Sequence, residues 1–154
     1  MNLDDLSLLS DNQIDYGTLP DSLLRDLTLG DDLFIATSAL VTLSQRRSKL
    51  AQTLASDILE KGLGDRYIQA AAIDVLFDMN PTSALDFITK QIQTCDAYLF
   101  NVILELMVQN YDYFNRSNRF QIIEIASKRL NELDLEDKWP TLEVREKFFA
   151  SYGS

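Results

Sequence analysis

The chain has 154 residues, with 24 acids against 14 bases, no histidine, one cysteine, five glycines and three prolines. A net charge of −10 argues against nucleic acid and anionic membranes as direct partners, because both repel an acidic surface. The missing histidine removes the commonest general base, the usual zinc ligand and any Ser-His or Cys-His nucleophile pair, and so few Gly and Pro leave little room for the many turns of a β-sandwich.

The length suits one domain, 1–154, whose core can bury about two thirds of the surface the unfolded chain exposes. Neither disulfide nor metal is then needed for stability. No apolar run approaches the roughly 18 residues that span a bilayer. The start, Met1-Asn2-Leu3-Asp4-Asp5, is acidic, whereas a signal peptide starts basic, so a cytoplasmic location is expected. Cys95 reads as a small buried apolar side chain. The acidity is uneven: residues 1–32 hold eight acids and only Arg25, residues 33–95 are balanced, and residues 96–154 hold ten acids and seven bases.

In chain order, residues 1–30 form an acidic cap with a short helix near Leu3–Leu9, a break at Ser10-Asp11-Asn12 and a turn at Tyr16-Gly17-Thr18. Pro20 suits the first position of a helix whose apolar face is Leu23, Leu24 and Leu27, and Gly30 stops it. Asp31 or Asp32 can N-cap the next helix, where Ile35, Ala36, Ala39, Leu40 and Leu43 recur at helical spacing. After a polar turn, Leu50, Ala51, Leu54, Ala55 and Ile58 give its partner, ended by Lys61-Gly62. Asp65 restarts the pattern with Ile68, Ala72, Val75, Leu76 and Met79. Asn80-Pro81 breaks it, and Ala84, Leu85, Ile88 and Ile92 follow. Asp96 starts a third unit with Leu99, Val102, Ile103, Leu106 and Met107. An irregular connection, Asn110 to Asn118, leads to Phe120, Ile123, Ala126 and Leu130. Residues 135–154 form a C-terminal cap, opened by Trp139-Pro140-Thr141.

Placing Asp32, Asp65 and Asp96 in register shows a repeat with units 31–64, 65–95 and 96–134. Two residues on stand Phe34, Tyr67 and Tyr98; three on, Ile35, Ile68 and Leu99; eleven on, Leu43, Leu76 and Met107. One helix pair cannot bury both its apolar faces, so such units cover each other by stacking. The Thr-Pro-Leu-His signature of ankyrin repeats is missing, and Pro81 lies between two helices rather than at a unit's end, as in tetratricopeptide repeats. The run Asp65-Arg66-Tyr67-Ile68-Gln69-Ala70-Ala71-Ala72 with Leu76 resembles the short HEAT pattern Asp-x-x-Val-Arg-x-x-Ala-x-x-x-Leu, with Gln69 where the family often has Arg. The resemblance spans about residues 31–130. It implies an all-α fold, a short right-handed stack of antiparallel helix pairs with capping helices at both ends. HEAT-like folds mostly bind other proteins, so the resemblance also implies a protein-binding role.

No catalytic residue, cofactor site or metal site is expected. The doublets Asp4-Asp5, Asp31-Asp32 and Glu136-Asp137 lack the convergent oxygens that a hard cation needs. In HEAT-like stacks the second helices line the concave face, which points to Asp57, Glu60, Asp86 and Glu124 as partner contacts. Asp4 and Asp5 join them by charge, and Tyr111, Tyr113 and Phe114 by composition, because tyrosine supplies contact area at low entropic cost. The expected function is a non-enzymatic protein-interaction module with an acidic surface, in its concrete form a bacterial immunity or inhibitor protein that neutralises a basic toxin. The alternative is a structural adaptor or homo-oligomeric scaffold subunit. The expected partner is another protein with a basic surface, and not nucleic acid or membrane; the sequence leaves the oligomeric state open.

Overall fold

The computed structural model describes residues 2–6, 8–116, 119–134 and 136–153, and among these every regular element is a helix. In chain order they are α1 (Leu3–Leu6), two 3-10 turns (Asp11–Gln13 and Tyr16–Thr18), α2 (Asp21–Thr28), α3 (Leu33–Gln45), α4 (Lys49–Lys61), α5 (Arg66–Met79), α6 (Pro81–Gln91), α7 (Ala97–Gln109), α8 (Tyr111–Phe114), α9 (Phe120–Glu132) and α10 (Leu142–Tyr152). No described helix is long and apolar enough to cross a membrane. The chain divides into two compact units, the first ending at Ala84 and the second beginning at Leu85.

Aspartate carboxylates set the starts of three long helices. The Asp32 side chain accepts from the backbone N–H groups of Phe34 and Ile35, both at 3.1 Å. Asp65 accepts from Tyr67 and Ile68, both at 3.0 Å, and Asp96 from Tyr98 at 2.8 Å. Each carboxylate satisfies donors that have no partner inside the helix. At the other end of α4, Gly62 takes the left-handed conformation at φ 62°, which costs glycine nothing.

In the first unit, α3 packs against α2, α4 and α5, and both 3-10 turns lie on it. Its small buried residues Ala36 and Ala39, with Ala51, Ala55 and Ala72 on its neighbours, allow close approach, while Leu24, Leu40, Leu43 and Ile58 fill the space between. Arg46 ties the N-terminal segment to α3, bonding Asp21 at 2.8 Å and the carbonyls of Tyr16 and Gly17 at 3.1 and 3.0 Å. Arg47 pairs instead with Asp78. In the second unit, α10 packs on α7 and α9, with Phe100, Phe114 and Phe148 fully buried. Arg145, only 4% exposed, donates to the carbonyls of Pro140 at 2.9 Å and Asp134 at 3.0 Å. It thereby folds the segment before α10.

Two local expectations need correction. Pro20 is the N-cap of α2, with extended backbone at ψ 155°, and not its first helical residue. Residues 111–114 are not irregular: they form the helical turn α8, which carries Phe114 into the core.

Candidate partner-binding surface

A distinctive surface lies at the N-terminal ends of α3 and α5, in the first unit. The core stripe of each helix begins three residues after its N-cap, with Ile35 and Ile68. The residues one position earlier, Phe34 and Tyr67, face off that stripe and stand 80% and 59% exposed. With Asp11, Leu33, Thr37, Ser38 and Asp65 they line a groove of about 490 Å³. A smaller hollow of about 280 Å³ adjoins it, sharing Leu33 and including Leu29, Leu63 and Gly64. Exposed apolar side chains, Leu29 and Leu63 among them, therefore continue along this edge, the kind of patch that marks an interaction site.

The polar side of the groove is built from fixed groups. Asp11 accepts hydrogen bonds from the Tyr16 hydroxyl and from the Ser38 hydroxyl at 2.8 Å, which pins the first 3-10 turn to α3. Burial, together with the bond to the Asp11 carboxylate, pushes the Tyr16 phenol well above its ordinary value, so it stays a donor. The Asp65 carboxylate is held by the two amides it caps. Apolar rings beside oriented carboxylates suit a ligand that combines a cation with apolar area.

The residues expected from the sequence are distributed differently. Asp4 and Asp5 lie exposed on α1. On α4, Asp57 stands 3.9 Å from Lys61, and the Ser56 hydroxyl donates to exposed Glu60 at 3.5 Å. In the second unit, Asp86 is exposed on α6, and Glu124 borders a shallow depression with Lys128, Glu132 and Tyr152. The aromatic trio splits. Tyr111 is 38% exposed and leans on Tyr152 with ring centroids 5.1 Å apart. Tyr113 lies beneath the Arg119 guanidinium, 4.0 Å from its ring centroid. Phe114, at 0% exposure, is a core residue, which corrects its assignment as a contact: a ring with no solvent-facing area has none to offer a partner. Sequence reasoning missed Phe34, Tyr67, Thr37, Ser38, Asp11 and Asp65 as a surface. The signal available was the pair of aromatics in register one step off the core stripe.

Cys95 is 9% exposed. Arg129 donates to its carbonyl at 2.6 Å and to its sulfur at 3.4 Å. Burial pushes the thiol up against the opposing pull of Arg129, which makes it a poor nucleophile at neutral pH. Among the described residues, no group of three or more Cys, Asp and Glu side chains is placed to hold a metal ion. No family model, curated protein or solved structure matches the chain.

Proposed function

We propose that the protein is a non-enzymatic protein-binding module whose acidic surface engages a basic partner. The observation that carries this reading is the groove at the starts of α3 and α5, where exposed Phe34 and Tyr67 stand beside the carboxylates of Asp11 and Asp65. In its concrete form, the partner is a cationic toxin domain such as a nuclease, and the chain is the cytoplasmic immunity or inhibitor protein that neutralises it. The net charge of −10, with eight of the acids in the first 32 residues, supports this by steering a cation toward the surface. A HEAT-like stacking of helix pairs is the scaffold we assign to it, supported by the packing of α3, α4 and α5 on one another within the first unit.

The test is to isolate the partner from the native host by cross-linking, purify it and follow association by stopped flow. A basic partner is expected, with an association rate that falls steeply as salt rises. An acidic partner, or a rate indifferent to salt, overturns the reading. The alternative, a homo-oligomeric scaffold subunit, is favoured by the same exposed apolar edge, with Leu29 at 55% exposure. A stable oligomer of the isolated chain in light scattering would support it.

A further inference from the structure

The open groove on α3 has a covered counterpart elsewhere in the chain. Counted from the N-cap aspartate, Phe34 and Tyr98 both stand two residues on, and Thr37 and Asn101 both stand five residues on. In the second unit those positions on α7 are occupied by residues 138–141. The Trp139 ring meets Tyr98 edge-on with centroids 4.9 Å apart. The Thr141 backbone N–H donates to Asn101 Oδ1 at 3.0 Å, and the Lys138 ammonium stands 5.4 Å from the Trp139 ring centroid. In the first unit, the same register positions line the groove instead. The Thr37 hydroxyl donates to the Leu33 carbonyl at 2.8 Å, which leaves its oxygen lone pairs able to accept.

We infer that the α3 groove binds an extended segment of a partner protein in the way that α7 holds residues 138–141. An aromatic side chain of the segment packs on Phe34 and Tyr67, a backbone N–H reaches the Thr37 hydroxyl, and a lysine or arginine lies beside Asp11 and Asp65. This rests on the reading of the chain as a protein-binding module and names its ligand: a linear segment carrying an aromatic residue flanked by cations. A second copy of this chain is the weaker occupant. Two surfaces of net charge −10 repel, and each copy's Trp139 is already engaged on its own Tyr98. An aromatic pair contributes affinity beyond its buried area, and the carboxylates select the flanking charge.

The probes are labelled synthetic peptides: Lys-Lys-Trp-Pro-Thr-Lys, the same peptide with alanine for tryptophan, and the same with glutamates for lysines. Anisotropy gives affinity, and amide shifts give location. Only the first peptide is expected to bind, with shifts at residues 11, 33–38 and 65–67. Phe34→Ala should weaken it about tenfold or more, and Thr37→Val should weaken it less. Phe120→Ala, which removes another exposed aromatic at 52% exposure, should leave it unchanged. Because the Phe34 ring is mostly in solvent, its removal keeps the fold, which an unchanged melting temperature checks. Equal binding of the alanine peptide, or indifference to Phe34→Ala, overturns the inference. Shifts confined to Asp57, Glu60, Asp86 or Glu124 overturn the groove but leave an acidic binding module standing. If no peptide binds, the inference falls, and the module reading is then decided by the salt dependence of the purified complex.

Discussion

Gly62 and Gly64 both have positive φ, at 62° and 70°, yet a side chain would meet different surroundings at each. At Gly62 an added Cβ has nothing within 4 Å, so Gly62→Ala should cost only the left-handed backbone, about 1 kcal/mol. At Gly64 the Cβ would come 2.5 Å from Cγ2 of Ile68 and 3.3 Å from Cδ2 of Leu33. Gly64→Ala should therefore cost about 2–4 kcal/mol, the backbone strain plus the overpacking, and should shift a wall of both hollows. Thermal unfolding should show the larger drop at Gly64; equal drops would refute the role of close approach. A second residue-scale test concerns Tyr152, whose hydroxyl donates to the Met107 carbonyl. Burial, aided by Tyr111, pushes its phenol up to about 12 from 10.0. The neutral form is the one the fold prefers, so its stabilisation is complete below about pH 10 and is lost as pH rises through about 12. Tyr152→Phe should be less stable than the wild type at pH 8, with the gap closing toward pH 12. Chemical unfolding at both pH values measures it, and a constant gap would show that Tyr152 does not titrate in this range.

At the scale of elements, one side chain can serve both a helix end and a surface, and the two roles separate by substitution. Asp65 caps α5 and lines the groove. Asparagine caps about as well as aspartate, whereas alanine costs about 1 kcal/mol. Asp65→Asn should keep the melting temperature yet weaken a cationic peptide, while Asp65→Ala should lose both; a marked loss of stability in Asp65→Asn would mean that the charge itself holds the helix. Arg145 does similar work for the segment before α10. Replacing it by methionine strands the carbonyls of Pro140 and Asp134 and should cost about 3 kcal/mol. As Trp139 is the sole tryptophan, its emission should move to the red as the segment leaves Tyr98; an unmoved spectrum would show that Arg145 does not position it. These elements also show which parts of the structure could be read from the sequence. The capping aspartates and apolar stripes were legible because a helix start is decided within four residues. The aromatic register was legible too, but not its exposure. Phe34 and Tyr98 have the same local sequence logic, and only the return of residues 138–141 onto α7 makes one covered and the other open. Asp11 was legible as part of a break but not as a wall of the groove, since its partner Ser38 lies 27 residues away. Phe114 was misassigned because a single turn is too short to display a period.

For the whole molecule, charge is the property that composition fixes most firmly, and it sets where that charge can change. A net charge of −10 falls to zero near pH 4.3, so self-repulsion disappears there and turbidity should peak near that pH. Without histidine, no side chain has its ordinary titration between about pH 5 and 8, and burial moves Cys95 further from that window. The field that draws a cation to the surface should therefore be constant from about pH 6 to 8. A polymer of quaternary ammonium groups makes the decisive probe, because its charge cannot titrate and any pH dependence belongs to the protein. Its association rate should be flat across that window, fall away toward pH 4.3, and drop steeply as salt shortens the screening length to about 8 Å at physiological strength. A rate that changes several-fold between pH 6 and 8 would mean that something other than the carboxylate surface governs encounter, and the acidic-module reading would lose its physical basis.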